Sequence, residues 1–324
     1  MNQPALVLSL LVATSFAAHA AEQAIELETK TGTIKGTLTL PSASSQVPVV
    51  LLIAGSGPTN RNGNAPVAAG RNDSLKMLAA SLADLGVASV RYDKRGIAAS
   101  SAAGPAESDL RFDNYVQDAA SWVTKLARDS RFQGIAVLGH SEGSLIGMLA
   151  AQRSAVHAFI SVAGPAEKAP AVLRRQLQGR LPPDLAQRNE EILKTLESGG
   201  TVSDVPSPLS ALYRQSVQPY LISWFKYSPA VEVAKLRVPC LIVQGGTDIQ
   251  VGIADAKVLH AVNPGCALHV VEGMNHVLKR VPADQQKQIA SYGDPSLPLD
   301  ADFVKTIAAF LSSEQVRVAF RAPR

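Results

Sequence analysis

The chain of 324 residues is 46% hydrophobic and 18% charged, a composition typical of a globular protein with a large apolar core. Its net charge is only +4, and its lysines and arginines are scattered without a basic and aromatic recognition module, which argues against a nucleic-acid partner. The cysteines and histidines lack zinc-type spacing and no dinucleotide-binding fingerprint occurs, so we expect neither a metal nor another cofactor.

The first 20 residues have the pattern of a signal peptide. A short apolar run at 5–13 precedes Ala18-His19-Ala20, which fits the small-x-small cleavage rule, and the run is too short to span a bilayer comfortably. We therefore expect export to a periplasm, with cleavage near Ala20, a mature chain that begins near Ala21 and no integral membrane span in that chain. An apolar helix that is kept as an anchor or packed on the fold is the alternative.

Strand-like and helix-like segments alternate along the rest of the chain. In order, the patterns predict a hairpin (25–40), strand (48–53), helix (73–85), strand (87–92), helix (112–127), strand (134–138), helix (144–151), strand (158–164), strands at 238–244 and 267–271, and a closing helix (299–311). Such alternation predicts a doubly wound, mostly parallel α/β sheet. Between 166 and 235, helices with charged faces are broken by proline and glycine, which predicts a helical cap inserted between core segments 21–165 and 236–324.

A possible nucleophile stands between the strand at 134–138 and the helix that follows it. Gly139-His140-Ser141-Glu142-Gly143 is a G-x-S-x-G motif in the strand–turn–helix setting that this motif requires. The serine sits on a strained turn, so its neighbours two residues away must lack bulk. The turn lifts the Ser141 hydroxyl above the sheet and aims the first helical N–H groups at a developing oxyanion.

A serine nucleophile needs a base and an orienting acid. In the fold that carries the G-x-S-x-G motif, the chain order is Ser, then Asp or Glu, then His. Asp248 follows one predicted strand and His276 follows the next, both in glycine-containing loops where ligand chemistry is expected in parallel sheets. We predict a triad of Ser141, Asp248 and His276. Asp248 as a simple turn former or helix cap, and His276 as a surface loop residue, are the alternatives.

The loop after the strand at 48–53 consists of small residues, and we expect it to supply a backbone N–H group of the oxyanion hole. In this fold one oxyanion-hole N–H comes from the residue after the nucleophile, here Glu142, and another from the loop after the third strand. We assign the second N–H to Ser56. An ordinary tight turn is the alternative for this loop.

Five segments together resemble bacterial α/β-hydrolases of the esterase and serine-aminopeptidase-like group, related to dienelactone hydrolases. These segments, in chain order, are 52–59, 91–96 (Arg-Tyr-Asp-Lys-Arg-Gly), 139–143, 245–248 and 273–276. The resemblance implies an α/β-hydrolase fold with a helical cap insertion, and carboxylesterase activity on short acyl esters. Similar proteins often carry acids where this chain has Asn60-Arg61-Asn62-Gly63.

From the triad and the resemblance we expect a serine carboxylesterase acting on a small-molecule ester through an acyl-enzyme on Ser141. A peptidase or thioesterase with the same triad, acyl transfer to another acceptor, and a catalytically inactive binding module of the same fold are the alternatives.

An aromatic cluster stands in the predicted cap, within residues 219–227. We expect Tyr220, Trp224, Phe225 and Tyr227 to line an acyl or alcohol pocket. The alternative is that they dock the cap onto the body.

The two cysteines lie near the starts of the strands that lead to Asp248 and His276. Because a bridge between adjacent parallel strands is strained, we expect Cys240 and Cys266 to be buried free thiols. A disulfide formed in an oxidising compartment is the alternative.

Overall fold

A computed structural model describes residues 20–42, 46–66 and 70–321, so the predicted signal peptide lies outside the described residues except for Ala20. Within those ranges, eight strands form one sheet. The strands are β1 (Ala21–Thr29), β2 (Gly32–Leu40), β3 (Val47–Ile53), β4 (Ala88–Tyr92), β5 (Phe132–His140), β6 (Ala158–Val162), β7 (Cys240–Gly245) and β8 (Cys266–Val271).

The sheet runs in the order β1-β2-β4-β3-β5-β6-β7-β8. The β1–β2 hairpin joins the sheet through β2, which is antiparallel to β4. The other six strands, β4-β3-β5-β6-β7-β8 in the order of the sheet, are parallel to one another. From β3 the chain passes to β4 on one side of β3, and from β4 it crosses to β5 on the other side. The strand order therefore reverses direction at β3. Ligands bind at such a switch point, beyond the carboxyl ends of the strands.

Helices cover the sheet and form the inserted segment. They are α1 (Ser74–Asp84), α2 (Phe112–Ala127), α3 (Glu142–Ala151), α4 (Ala169–Leu177), α5 (Pro183–Glu197), α6 (Ser210–Tyr213), α7 (Gln218–Phe225), α8 (Pro229–Val233), α9 (Ile253–Val262), α10 (Gln285–Ser291), α11 (Ala301–Ser312) and α12 (Glu314–Arg321), with 3₁₀ turns at Ala98–Ala103, Glu107–Asp109, Ser207–Leu209 and Gln215–Val217. No helix in the described ranges combines the length and the apolar character that a membrane crossing requires.

The central strands are apolar on both faces because helices cover both sides of the sheet. In β3, Leu51 and Ile53 belong to one buried cluster, with α2 and α3, while Val50 and Leu52 belong to another, with α1, α11 and α12. This explains why β3 is a nearly continuous apolar run rather than an alternating one. The predicted α/β-hydrolase architecture, a mostly parallel sheet with helices on both faces, is confirmed.

Helices α4 to α8 form a cap-like insertion between β6 and β7. The two ends of the insertion meet, because the N–H of Ala230 donates to the carbonyl of Ala166 over 3.2 Å. Within it, Arg174 on α4 bonds to Glu190 and Glu197 on α5. The exact limits of 166 and 235 stay a prediction.

The expectation of free thiols at Cys240 and Cys266 is wrong, because these residues form a disulfide. The parallel register pairs Cys240 directly with Cys266, which places both side chains on the same face of the sheet. Their Cα atoms are 4.5 Å apart, within the range of natural disulfides.

We expect the bridge to form in solution and to stabilise the fold. Alkylation without reductant should leave the intact mass unchanged, whereas alkylation after reduction should add two adducts. The chain closed by the bridge has a sequence separation of 26, so the double variant Cys240→Ala/Cys266→Ala should lose about 3 kcal/mol of unfolding free energy in urea. Two thiols that react without reductant would contradict the disulfide.

Candidate active site

Ser141 occupies a backbone conformation that few non-glycine residues adopt. Its φ is 56° and its ψ is −123°, directly between β5 and the first turn of α3. A Cβ on Gly139 would lie 2.1 Å from the carbonyl oxygen of Gly143, and one on Gly143 would lie 2.4 Å from the carbonyl oxygen of Ile53. The two glycines of the motif are therefore required by the close approach of α3 to β5 and to the end of β3.

The loop after β3 passes beside the serine. A Cβ on Gly55 would lie 3.2 Å from the Cβ of Ser141, so only a residue without a side chain fits comfortably here. Ser56 is exposed, and its carbonyl accepts a hydrogen bond from the hydroxyl of Thr59 over 2.7 Å. The structure thus places the loop that contains Ser56 next to Ser141 and Glu142; donation by the Ser56 and Glu142 N–H groups to an oxyanion stays a prediction.

Asp248 is fully enclosed and has hydrogen-bond donors on both carboxylate oxygens. Its Oδ1 accepts from the backbone N–H groups of Gln250 and Val251 over 2.7 and 3.0 Å. Its Oδ2 accepts from the side chain of Gln244 over 3.2 Å and faces His276. Burial by itself raises the pKa of Asp248, but the imidazole of His276 and the two backbone donors outweigh burial and hold the pKa below its usual value. The carboxyl is therefore an anion at neutral pH.

His276 meets Asp248 through its Nδ1, with 2.8 Å between Nδ1 and Oδ2. Because a carboxylate can only accept, Nδ1 carries the proton and Nε2 is left as a base. The loop that holds the imidazole lies close to β7, since a Cβ on Gly245 would lie 2.2 Å from the carbonyl oxygen of Met274. The glycine before Asp248 thus allows acid and base to meet.

His140, the variable residue of the elbow motif, links His276 to the serine. The Nε2 of His140 lies 2.8 Å from the backbone carbonyl oxygen of His276, to which it must donate, and the two rings are 4.8 Å apart between centroids. Burial, and then the neighbouring His276, lower the pKa of His140 to about 4. His140 is not among the residues predicted from the sequence, because nothing in the motif indicates what the side chain at this variable position faces.

The charged turn after β4 is held by ion pairs and is not open to a ligand. Arg91, on β4, pairs with Glu22, and each charged residue of the turn has a partner on another segment: Asp93 with Arg61, Lys94 with Glu142, and Arg95 with Asp118. Arg61 lies in the loop where similar proteins often carry acids, and it donates to both oxygens of Asp93 through its backbone and side chain. The sequence showed this cluster but not its partners.

The aromatic residues of the cap meet the amino end of α2. The Trp224 ring stacks on Phe112 at 5.9 Å between centroids, and the Tyr220 and Tyr227 rings pack against the same phenylalanine. The hydroxyl of Ser223 accepts from the backbone N–H of Phe112 over 2.8 Å. These contacts dock α7 onto the body, as the alternative interpretation expected. A role for Tyr220, Trp224, Phe225 and Tyr227 in a substrate pocket stays a prediction.

Among the described residues, no group of three or more histidine, cysteine, aspartate or glutamate side chains is arranged to hold a metal ion. The acid, the base and the strained serine turn lie instead at the carboxyl ends of β7, β8 and β5, beside the loop after β3.

Comparison with known proteins finds similar sequences and folds. A family model described as serine aminopeptidase, S33, matches residues 69–210. Est1E from Butyrivibrio proteoclasticus superposes with a TM-score of 0.57 at 16% identity, over 90% of this chain and 99% of that one. The chain has the α/β-hydrolase fold, and its residues 69–210 are similar to that family.

The chain is also similar in sequence to an esterase. It is 26% identical over 263 residues to the esterase EstD of Thermotoga maritima, a match that covers 79% of this chain and 61% of EstD. The chain thus spans less than two thirds of the length of that relative. The acylaminoacyl peptidase of Pyrococcus horikoshii has the same fold, with a TM-score of 0.56 at 12% identity over 93% of this chain and 42% of that one.

The buried His140 should make the stability of this chain depend on pH. Its pKa in the folded chain is about 4, against an ordinary value of 6.5, so between these values the unfolded chain binds a proton that the folded chain does not. Stability therefore falls as the pH is lowered through this window, by up to about 3 kcal/mol for this group.

The variant His140→Gln keeps a side-chain donor but does not titrate. In urea unfolding at pH 7 and pH 4, the native chain should lose about 3 kcal/mol more than this variant. Equal losses in the two chains would show that His140 is protonated in the folded state.

Proposed function

We propose that this chain is a serine carboxylesterase that hydrolyses short acyl esters through an acyl-enzyme on Ser141. The observation that carries the proposal is the 2.8 Å hydrogen bond between His276 and the enclosed Asp248, beside a turn that holds Ser141 at positive φ. The identity to EstD supports an ester as the substrate, and a structure of Est1E has ferulic acid bound.

In the proposed acylation step, His276 Nε2 takes the proton of the Ser141 hydroxyl as its oxygen attacks the ester carbonyl. Asp248 holds the imidazole in the tautomer that leaves Nε2 free and stabilises the positive charge that develops on the ring. The backbone N–H groups of Glu142 and Ser56 donate to the oxyanion, and the first turn of α3 adds the positive end of its dipole. His276 then returns the proton to the leaving alcohol.

In the proposed deacylation step, water replaces the alcohol. His276 takes a proton from the water, the water oxygen attacks the acyl carbonyl, and the same N–H groups hold the second oxyanion. When this intermediate collapses, the proton passes from His276 to Ser141 and the carboxylic acid leaves.

A peptidase with the same residues is the second candidate function. The specific observation in its favour is the family model that matches residues 69–210, which is described as a serine aminopeptidase. Both reactions share the acyl-enzyme, so the leaving group that the site accepts decides between them.

We further infer that the chain is exported to a periplasm. The pattern of residues 1–20 supports export, and so does the Cys240–Cys266 bridge, because disulfides persist in oxidising compartments. When the full chain is produced in a Gram-negative host, amino-terminal sequencing of the periplasmic fraction should begin near Ala21. A cytoplasmic product that retains residues 1–20 would contradict export.

The proposed esterase activity is tested with p-nitrophenyl acetate, butyrate and octanoate on the purified mature chain. We expect a burst of nitrophenolate equal to the enzyme concentration whenever deacylation is slower than acylation, and turnover that falls by at least about 10³-fold in Ser141→Ala. The acyl chain length that gives the highest kcat/KM reports the size of the acyl pocket.

Two controls make the result specific. Activity that survives in Ser141→Ala would rule out this serine as the nucleophile, and an amide panel without ester turnover would favour the peptidase. In the same ester panel, Trp224→Ala should change the preferred chain length if the aromatic cluster lines the pocket. A lower unfolding midpoint with an unchanged preference would leave Trp224 a docking residue alone.

A further inference from the structure

A lysine and a glutamate form a buried ion pair behind the nucleophile. The Nζ of Lys94 lies 3.0 Å from Oε1 of Glu142, and each side chain is only 1% exposed. Glu142 is the residue after Ser141, and its backbone N–H is one of the two proposed oxyanion donors. The pair therefore fixes the side chain of one residue that contributes to the proposed oxyanion hole.

The same ammonium group also holds the loop that carries the other proposed donor. Lys94 Nζ donates to the carbonyl oxygen of Gly55 over 2.6 Å. The Gly55 carbonyl and the Ser56 N–H belong to a single planar, trans peptide unit, so they point in opposite directions. A donor that holds the Gly55 oxygen inward therefore turns the Ser56 N–H outward, away from Lys94.

The Gly55 peptide lies where its orientation affects the reaction. A Cβ on Gly55 would lie only 3.2 Å from the Cβ of Ser141, so the adjoining Ser56 N–H follows directly beside the attacking group. An oxyanion-hole donor is effective when it already points at the position of the oxyanion before negative charge develops there. This requires a fixed peptide plane. The loop after β3 lies outside the helices and strands, so their regular hydrogen bonds do not fix that plane.

The surroundings of Lys94 favour a fixed position for the ammonium group. Its Nζ lies 4.9 Å from the centroid of the Tyr115 ring, which offers a cation–π contact. Burial first, and then the Glu142 carboxylate, raise the pKa values of Tyr115 and Tyr220, so both phenols stay neutral beside the pair. Carbonyl, carboxylate and ring together surround a cation that is almost entirely removed from water.

We propose that Lys94 is a positioning residue of the oxyanion hole, which aims the Ser56 N–H through the Gly55 carbonyl and is held in place by Glu142. This inference rests on the proposed function, because it assigns the orientation of donors that the acylation step uses. Lys94 touches neither the substrate nor the reacting atoms in this role.

The test separates the orientation of the Ser56 N–H from the stability of the fold, with two variants and a matched control. Lys94→Met removes the donor and leaves Glu142 as an unpaired buried charge, which should lower the thermal midpoint strongly. Lys94→Met/Glu142→Gln removes the donor and both charges, so most of the stability should return. The control Arg95→Met/Asp118→Asn removes a neighbouring buried pair that lies between the same turn and α2.

The readout is the rate at which ethyl p-nitrophenyl butylphosphonate modifies Ser141. The serine oxygen bonds to phosphorus, nitrophenolate leaves, the serine proton passes to His276, and the phosphoryl oxygen occupies the oxyanion position. We expect both Lys94 variants to react about 10- to 100-fold more slowly than the native chain, and the control pair to stay within about 3-fold of it. With p-nitrophenyl butyrate, kcat should fall in the Lys94 variants while KM stays within about 3-fold.

The outcomes distinguish this inference from the function on which it rests. A native chain whose Ser141 does not react with the phosphonate overturns the proposed function, and the inference with it. A native chain that reacts, together with a double variant that recovers the native rate along with its stability, overturns the inference alone. A double variant that is stable but slow supports it, because a purely structural pair would recover both properties.

Discussion

The candidate site depends on one close contact, between the backbone at the start of α3 and the backbone at the end of β3. Gly143 lies so near the Ile53 carbonyl that a single Cβ would have to displace the helix. This contact brings the first N–H groups of α3 to the loop after β3, which belongs to a different part of the chain. Any side chain at this position would separate the serine turn from its neighbouring loop.

A second constraint comes from the buried charges of the turn after β4. With Arg91 of β4, its residues link four separate segments: β1 through Glu22, the loop after β3 through Arg61, α3 through Glu142 and α2 through Asp118. Where both partners are buried, as in Lys94–Glu142 and Arg95–Asp118, removing one leaves an unpaired charge and costs about 3–5 kcal/mol. The turn is therefore a junction that holds the periphery of the site to the sheet.

Much of the fold and part of the site could be predicted from sequence, because their signals are local. The run of β3, the amphipathic helix at 112–127 and the glycines around Ser141 each indicate their structure within a few residues. That Asp248 and His276 lie together could be predicted because parallel strands end at the same edge of a sheet, a rule that needs only two strands and their order.

The remaining contacts depend on tertiary packing that no local pattern encodes. Lys94 and Glu142 are 48 residues apart, and nothing near either one indicates that the other faces it. The contact of His140 with His276 depends on how the loop after β8 folds back over β5. The cysteines were misjudged for a related reason: whether neighbouring strands can be bridged depends on their register, which the hydrophobic pattern of two fully buried strands leaves open.

Formation of the disulfide depends on the same strand register that positions the candidate site. If β8 slipped by one residue against β7, the side chain of Cys266 would point to the opposite face of the sheet from that of Cys240. A slip of two residues would move the sulfurs roughly 7 Å along the strands. The same register sets the loops of Asp248 and His276 opposite each other. The disulfide can therefore form only when β7 and β8, the strands that lead to Asp248 and His276, have paired in this register. Once formed, it holds the two strands in that register.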